Sequence, residues 1–240
     1  MDDNQAVGTQ AQPVASRLHS LVFLLIAAAV TLVGYLGVQG RAGSPGAAPP
    51  HRHAVAAYVS AAVLDWLLVW FAWKGIRRRG VTIGELVGGR WASWREALRD
   101  AALAALFWGA MLLAGLLIES VLGGALDPAL AQLLPRTPVE VAFWAATCAS
   151  AGFCEEFVFR GYAQRQLLAL TGSVPAAVAG QAAVFAVMHA YQGWKPVLEI
   201  AVLGVMFGAL AAWRRTLRVG MIAHGWHDLW EGWLTRVVFP

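Results

Sequence analysis

Charge is what this sequence lacks most. Asp, Glu, Lys and Arg make up only 13% of its 240 residues, against 59% hydrophobic residues. Water-soluble domains carry about 25% charged residues, so an ordinary soluble fold is excluded. Cysteine is scarce too. Cys148 and Cys154 stand six apart on one expected helix, pointing to different sides, so they are poorly placed to bridge each other and say little about redox compartment. No Gly-rich phosphate loop and no repeat of fixed period are present. A charged leader is missing as well. Residues 1–17 are polar and small, and the apolar run that follows, about 19 residues, is long for a signal peptide, so the reading is a disordered tail over 1–18 and a retained first span.

What is present is apolar length. Runs long enough to cross a bilayer, about 20 residues each, lie near 20–38, 54–73, 101–122, 139–158, 176–192, 197–213 and 219–238. They imply an all-α polytopic membrane bundle of about seven transmembrane helices. Little chain is left over for a soluble domain, so 19–240 reads as one membrane domain, with a motif-bearing core at 139–238.

The net charge of +4 follows topology rather than nucleic-acid binding. With the N-terminus inside, Arg17, Lys74, Arg77, Arg78, Arg79, Arg90, Arg95, Arg99, Arg160, Arg165, Arg214, Arg215 and Arg218 fall on the cytoplasmic side. Arg41, Arg52, Arg136, Lys195 and Arg236 face out. That bias is the positive-inside pattern. The Gly/Pro segment 39–53 reads as an outer loop in which His51 and His53 are solvated. In "SWREALRD", Ser93 and Glu96 have capping-box spacing, and with Trp91 and Trp94 alongside the expectation is a surface-lying helix leading into the third span. Trp73, Trp194, Trp213 and Trp233 near span ends read as an aromatic belt.

Ionisable groups inside a bilayer cost at least about 2.5 to 3.5 kcal/mol each, so every one needs a reason. Asp65, Glu119 and Glu199 stand singly and read as structural or snorkelled carboxylates. The stretch "AGFCEEFVFRGY" is different. Glu156 and Arg160, four apart on a helix, share a face and can neutralise each other, whereas Glu155 is turned about 100° away and has no such partner. It is therefore free to act as a base. Thr171-Gly172-Ser173 with Pro175 marks a turn and a new helix, and Glu155 and His189 each lie seventeen residues from Gly172. An antiparallel hairpin brings them to one height, where carboxylate and imidazole can hold a water. In "AHGWHDLW", His224 and Asp228 are four apart on one face, with His227 turned aside. The depth of His224 relative to Glu155 is not fixed by spacing. Singly, each of these groups reads as a packed hydrogen-bond donor or structural pair; their convergence from three helices reads as a site.

Taken in order, "EEFVFR" fits EExxxR, "FAVMH" (Phe185 to His189) fits FxxxH, and "HGWHD" (His224 to Asp228) fits HxxxN/D. This resembles the CPBP family of intramembrane proteases, which includes CAAX prenyl endopeptidases and Abi-like immunity homologues. The resemblance covers 155–228. It implies that Glu155 and His189 activate a water, that His224 and Asp228 stabilise the oxyanion, and that Glu156 and Arg160 brace the site. The third motif departs by ending in Asp228 where eukaryotic endopeptidases carry Asn, and an ionised Asp cannot donate to an oxyanion. Asp228 is then either protonated or an orienter of His224. Glu with two or three His also suits zinc; the metal-free glutamate route is favoured, since no pair is spaced like HExxH. No other cofactor is implied.

The expected partners are a membrane-associated protein or peptide substrate and the lipid bilayer, in a bacterial inner membrane with the N-terminus cytoplasmic. Two other classes remain open: a proton or ion relay through Glu155, His189 and Asp228, and an immunity scaffold without turnover. Against the relay stand the lack of a bundle-wide repeat and of paired broken helices.

Overall fold

A backbone inside hydrocarbon must bond to itself, and the chain meets that demand with helices. The computed structural model describes residues 12–42, 54–123 and 134–238, with side chains described to 38 in the first stretch and to 230 in the last. The elements are α1 (Arg17–Ala42), α2 (Ala54–Arg77), α3 (Ile83–Val87), α4 (Trp94–Leu122), α5 (Pro138–Glu155), a π-helical segment (Glu156–Ala163), α6 (Gln164–Thr171), α7 (Val174–Met188), a 3₁₀ turn (Ala190–Gln192), α8 (Trp194–Arg214) and α9 (Arg218–Val238). There is no strand among the described residues.

Among the described residues four helices, α1, α2, α4 and α8, are long and apolar enough on their own to cross a membrane. The expected count of about seven is thus met in part. Of the other runs, α7 has 15 residues, α5 has 18 with a glutamate near each end, and α9 is described with its side chains only to residue 230. Most of the expected tail, along with His51 and His53, lies outside the described residues. Where it is described, Ala15 is fully buried and exchanges backbone bonds with the Gln166 amide at 3.0 and 3.1 Å.

Helix ends follow local chemistry. Ser173 caps α7 by accepting from the Ala176 N–H, Pro175 sits in the first turn, and Gly172 closes α6 at φ +67°. The "SWREALRD" segment departs from expectation. It is the start of α4, one continuous 29-residue helix, and Glu96 accepts from the Ala92 N–H instead of reciprocating to Ser93. Glu96 also meets Arg218. Beneath it, Asp100 is fully buried and bound by Arg214, Arg218 and the Trp91 indole. This network ties the start of α4 to the α8–α9 turn. The exposed Trp194 and Trp213 at the ends of α8 fit the expected belt.

Three close packings position the site. Gly152 of α5 lies against Gly225 of α9, where a Cβ on Gly152 would sit 2.6 Å from the Gly225 nitrogen. Gly204 and Gly208 of α8 accept α7 and the α6 start. The buried Gln181 and Gln164 donate to their carbonyls at 2.7 and 2.9 Å, and Ala182 rests on Gly204. α2 runs alongside α5, with Tyr58 against Trp144 and Trp66 stacked on Phe153 at 5.7 Å.

Candidate active site

The site forms where α5 passes into the π-helical segment. There the Gln164 N–H donates to the Phe159 carbonyl five residues back, widening the turn, and all eight residues from Glu156 to Ala163 are buried. Glu156 and Arg160 point inward, no more than 1% exposed, with Arg160 Nη1 at 3.0 Å from Glu156 Oε1. The guanidinium lies between the faces of Phe185 and Phe207, 4.5 and 5.0 Å from the ring centroids. Arg160 was counted above as a cytoplasmic-side marker; its position in the core removes it from that tally.

His224 joins the pair from α9. Its Nδ1 is 3.0 Å from the same Glu156 oxygen, and its Nε2 is 3.4 Å from Glu155 Oε2 and 3.8 Å from Asp228 Oδ1. Because carboxylates face both ring nitrogens, each is a donor position. The depth that spacing left undecided is thereby fixed: the Gly152–Gly225 crossing sets His224 level with both glutamates. Gly220 makes room for Glu156, since a Cβ there would lie 2.8 Å from Oε2. One expectation needs correcting. Glu155 is not without a cationic partner, for His224 is beside it; what distinguishes it from Glu156 is exposure, its side chain being 17% accessible.

His189 ends α7. Its Nδ1 is 2.8 Å from the Phe185 carbonyl, and since a carbonyl only accepts, Nδ1 carries the proton. In the neutral ring Nε2 then offers its lone pair. Phe159 and Phe185, each thirteen residues from Gly172, meet at 4.8 Å. Tyr191 stacks on His189 at 6.2 Å and couples electrostatically to Glu155. His227, half-buried, couples to His224.

Three features escaped the sequence reading. Asp65, read as a single structural carboxylate, lies close enough to Glu155, His224 and Asp228 to feel their charges. The available signal was its place in mid-span, where an ionisable group is a functional candidate by default. Glu119 and Glu199, also read as single, couple to each other across α4 and α8. The π-helical segment had no signal in periodicity.

For a metal, the donor set is unfavourable. Among the described residues no group of three or more His, Cys, Asp or Glu side chains has metal-binding geometry. Cys148 and Cys154 are both buried free thiols.

Residues 137–230 match the family model described as Type II CAAX prenyl endopeptidase Rce1-like. No curated protein and no solved structure matches the chain. The matched segment runs from the cap of α5 to α9 and contains all three motifs and every residue of the Glu155–Glu156–Arg160–His189–His224–Asp228 cluster. Over residues 137–230 the chain is similar to this family of type II CAAX prenyl endopeptidases.

Proposed function

We propose that this protein is an intramembrane endopeptidase that hydrolyses a peptide bond of a membrane-associated protein near the bilayer surface, using a water activated by Glu155 and His189. One observation carries the reading: of two adjacent glutamates that both touch His224, one is sealed against Arg160 and the other is open. Glu156 neutralises Arg160 and fixes the His224 ring. Glu155 keeps an accessible carboxylate for a substrate water.

In this mechanism the water lies between Glu155 and the His189 Nε2 lone pair. Glu155 takes its proton as the oxygen attacks the scissile carbonyl. The Nε2–H of His224, on the side where Glu155 and Asp228 converge, donates to the developing oxyanion. Asp228, 3.8 Å from that nitrogen, orients the ring. No metal takes part. The substrate class that fits the family is a protein with a prenylated C-terminal Cys-a-a-X tail; the excess of Arg and Lys on one side supports cytoplasmic entry and a cytoplasmic N-terminus.

The test compares native membranes carrying wild-type protein or Glu155→Gln at equal abundance, with new protein termini mapped. The reading expects a set of cleavage products that disappears in the variant. Identical termini in both membranes would overturn it.

A further inference from the structure

Acids outnumber bases at this site. The site holds the four acids Asp65, Glu155, Glu156 and Asp228, and the cations within ion-pair distance of any of them among the described residues are Arg160 and His224. With every group ionised, negative charge would be in excess in a low-dielectric interior, and such excess is relieved by holding protons. The contacts decide which acid holds one. Glu156 is engaged by Arg160 and His224, both at 3.0 Å. Glu155 and Asp228 share the Nε2 side of His224 at 3.4 and 3.8 Å. Asp65 has no Lys, Arg or His at ion-pair distance among the described residues.

Position matches the need. Trp66, the next residue, stacks on Phe153 two residues before Glu155, so α2 delivers the half-buried Asp65 to the same level of the bundle. The titratable groups that face it are Cys154 and Glu155 of α5, His224 and Asp228 of α9, and Tyr191 of the turn after α7. Peptide hydrolysis has a step that Glu155, His189 and His224 leave unassigned: an amine departs only if its nitrogen is protonated as the C–N bond breaks.

Resting on the peptidase reading above, we propose that Asp65 is a further catalytic residue, the general acid that protonates the leaving amine. Glu155 takes one proton from the water, whose oxygen bonds to the carbonyl carbon. The C–N bond then breaks with its electron pair passing to nitrogen, and the Asp65 carboxyl supplies the proton that nitrogen needs. This leaves Glu155 protonated and Asp65 ionised, and transfer of one proton from Glu155 to Asp65 restores the starting state.

The experiment uses the purified full-length protein in proteoliposomes with two probes: a prenylated Cys-a-a-X peptide, and an aryl ester of the same prenylcysteine acyl group, whose phenolate leaves without a proton. Rates are compared as amide-to-ester ratios, which cancel any change in folded fraction. Asp65→Asn is expected to lower amide hydrolysis by about 10²- to 10⁴-fold while lowering ester hydrolysis by less than about tenfold. Asp65→Glu, which keeps a carboxyl, should recover part of the amide rate. Glu155→Gln should lose both activities. Equal slowing of both probes by Asp65→Asn, or no slowing of either, would overturn the proposal and leave the peptidase reading intact. A Glu155→Gln variant that cleaves the amide as wild type does would instead overturn the reading beneath it.

Discussion

Adding one methyl group at Gly152 tests the crossing on which the site depends. A Cβ there would sit 2.6 Å from the Gly225 nitrogen, 2.8 Å from the Met221 carbonyl oxygen and 2.9 Å from the Gly225 Cα. All three are backbone atoms, so no side chain can swing aside. Ordinary contact needs about 0.8 Å more than the shortest of these, and overpacking of this kind costs about 1 to 3 kcal/mol. Replacing Gly by Ala within a helix returns about 0.5 to 1 kcal/mol, so the net loss of stability is modest. The effect on the site is not modest. If α9 moves out by that distance, His224 leaves its 3.0 and 3.4 Å approaches to Glu156 and Glu155, and misplacement of about 1 Å can cost about 10²-fold in rate. The assay pairs thermal unfolding in detergent with cleavage of a prenylated peptide. Gly109→Ala is the control, because nothing lies within 4 Å of a Cβ at that helical glycine, and it should retain full stability and activity. A Gly152→Ala protein with wild-type activity would refute the close crossing and the placement of His224 that follows from it.

Other outcomes follow from the same contacts. Glu156→Gln should destabilise the protein by about 3 to 5 kcal/mol, because Arg160 is left buried and unpaired, and the double variant Glu156→Gln/Arg160→Met should recover part of that loss in a thermal unfolding series. Dialysis against a zinc chelator should leave peptide cleavage unchanged, since His224 is occupied by carboxylates. At the α3 cap, bonds from Thr82, first from its backbone N–H, hold the Glu85 carboxyl below its ordinary value of 4.5, with Arg165 adding to the effect. A depressed folded value means this contribution is present above 4.5 and is lost as pH falls through the folded pKa. Amide shifts of Thr82 and Glu85 followed by NMR should therefore titrate with a midpoint below 4.5, and Glu85→Gln should abolish the transition.

Much of the site could be read from spacing because helices convert spacing into direction. Glu156 and Arg160 at four residues, and the helical hairpin that turns at Gly172, needed only the helix repeat and a turn signal, which Ser173 and Pro175 supply. Relative depth between distant helices obeys no such rule. It rests on tertiary contacts such as Gly152 against Gly225, and two glycines 73 positions apart carry no local sign of meeting. For the same reason Asp65 looked solitary: its partners lie on α5 and α9, far along the chain. The widened turn after Glu155 follows no residue pattern, because eight consecutive buried positions break the periodicity by which helices are read.

The central claim is a division of labour between adjacent glutamates. Its most direct test is a measurement on one purified variant, Glu155→Gln, of both unfolding temperature and the rate of cleavage of a prenylated peptide. The account predicts a wild-type unfolding temperature with cleavage reduced by about 10²- to 10⁴-fold. A folded Glu155→Gln protein that cleaves at the wild-type rate would contradict it.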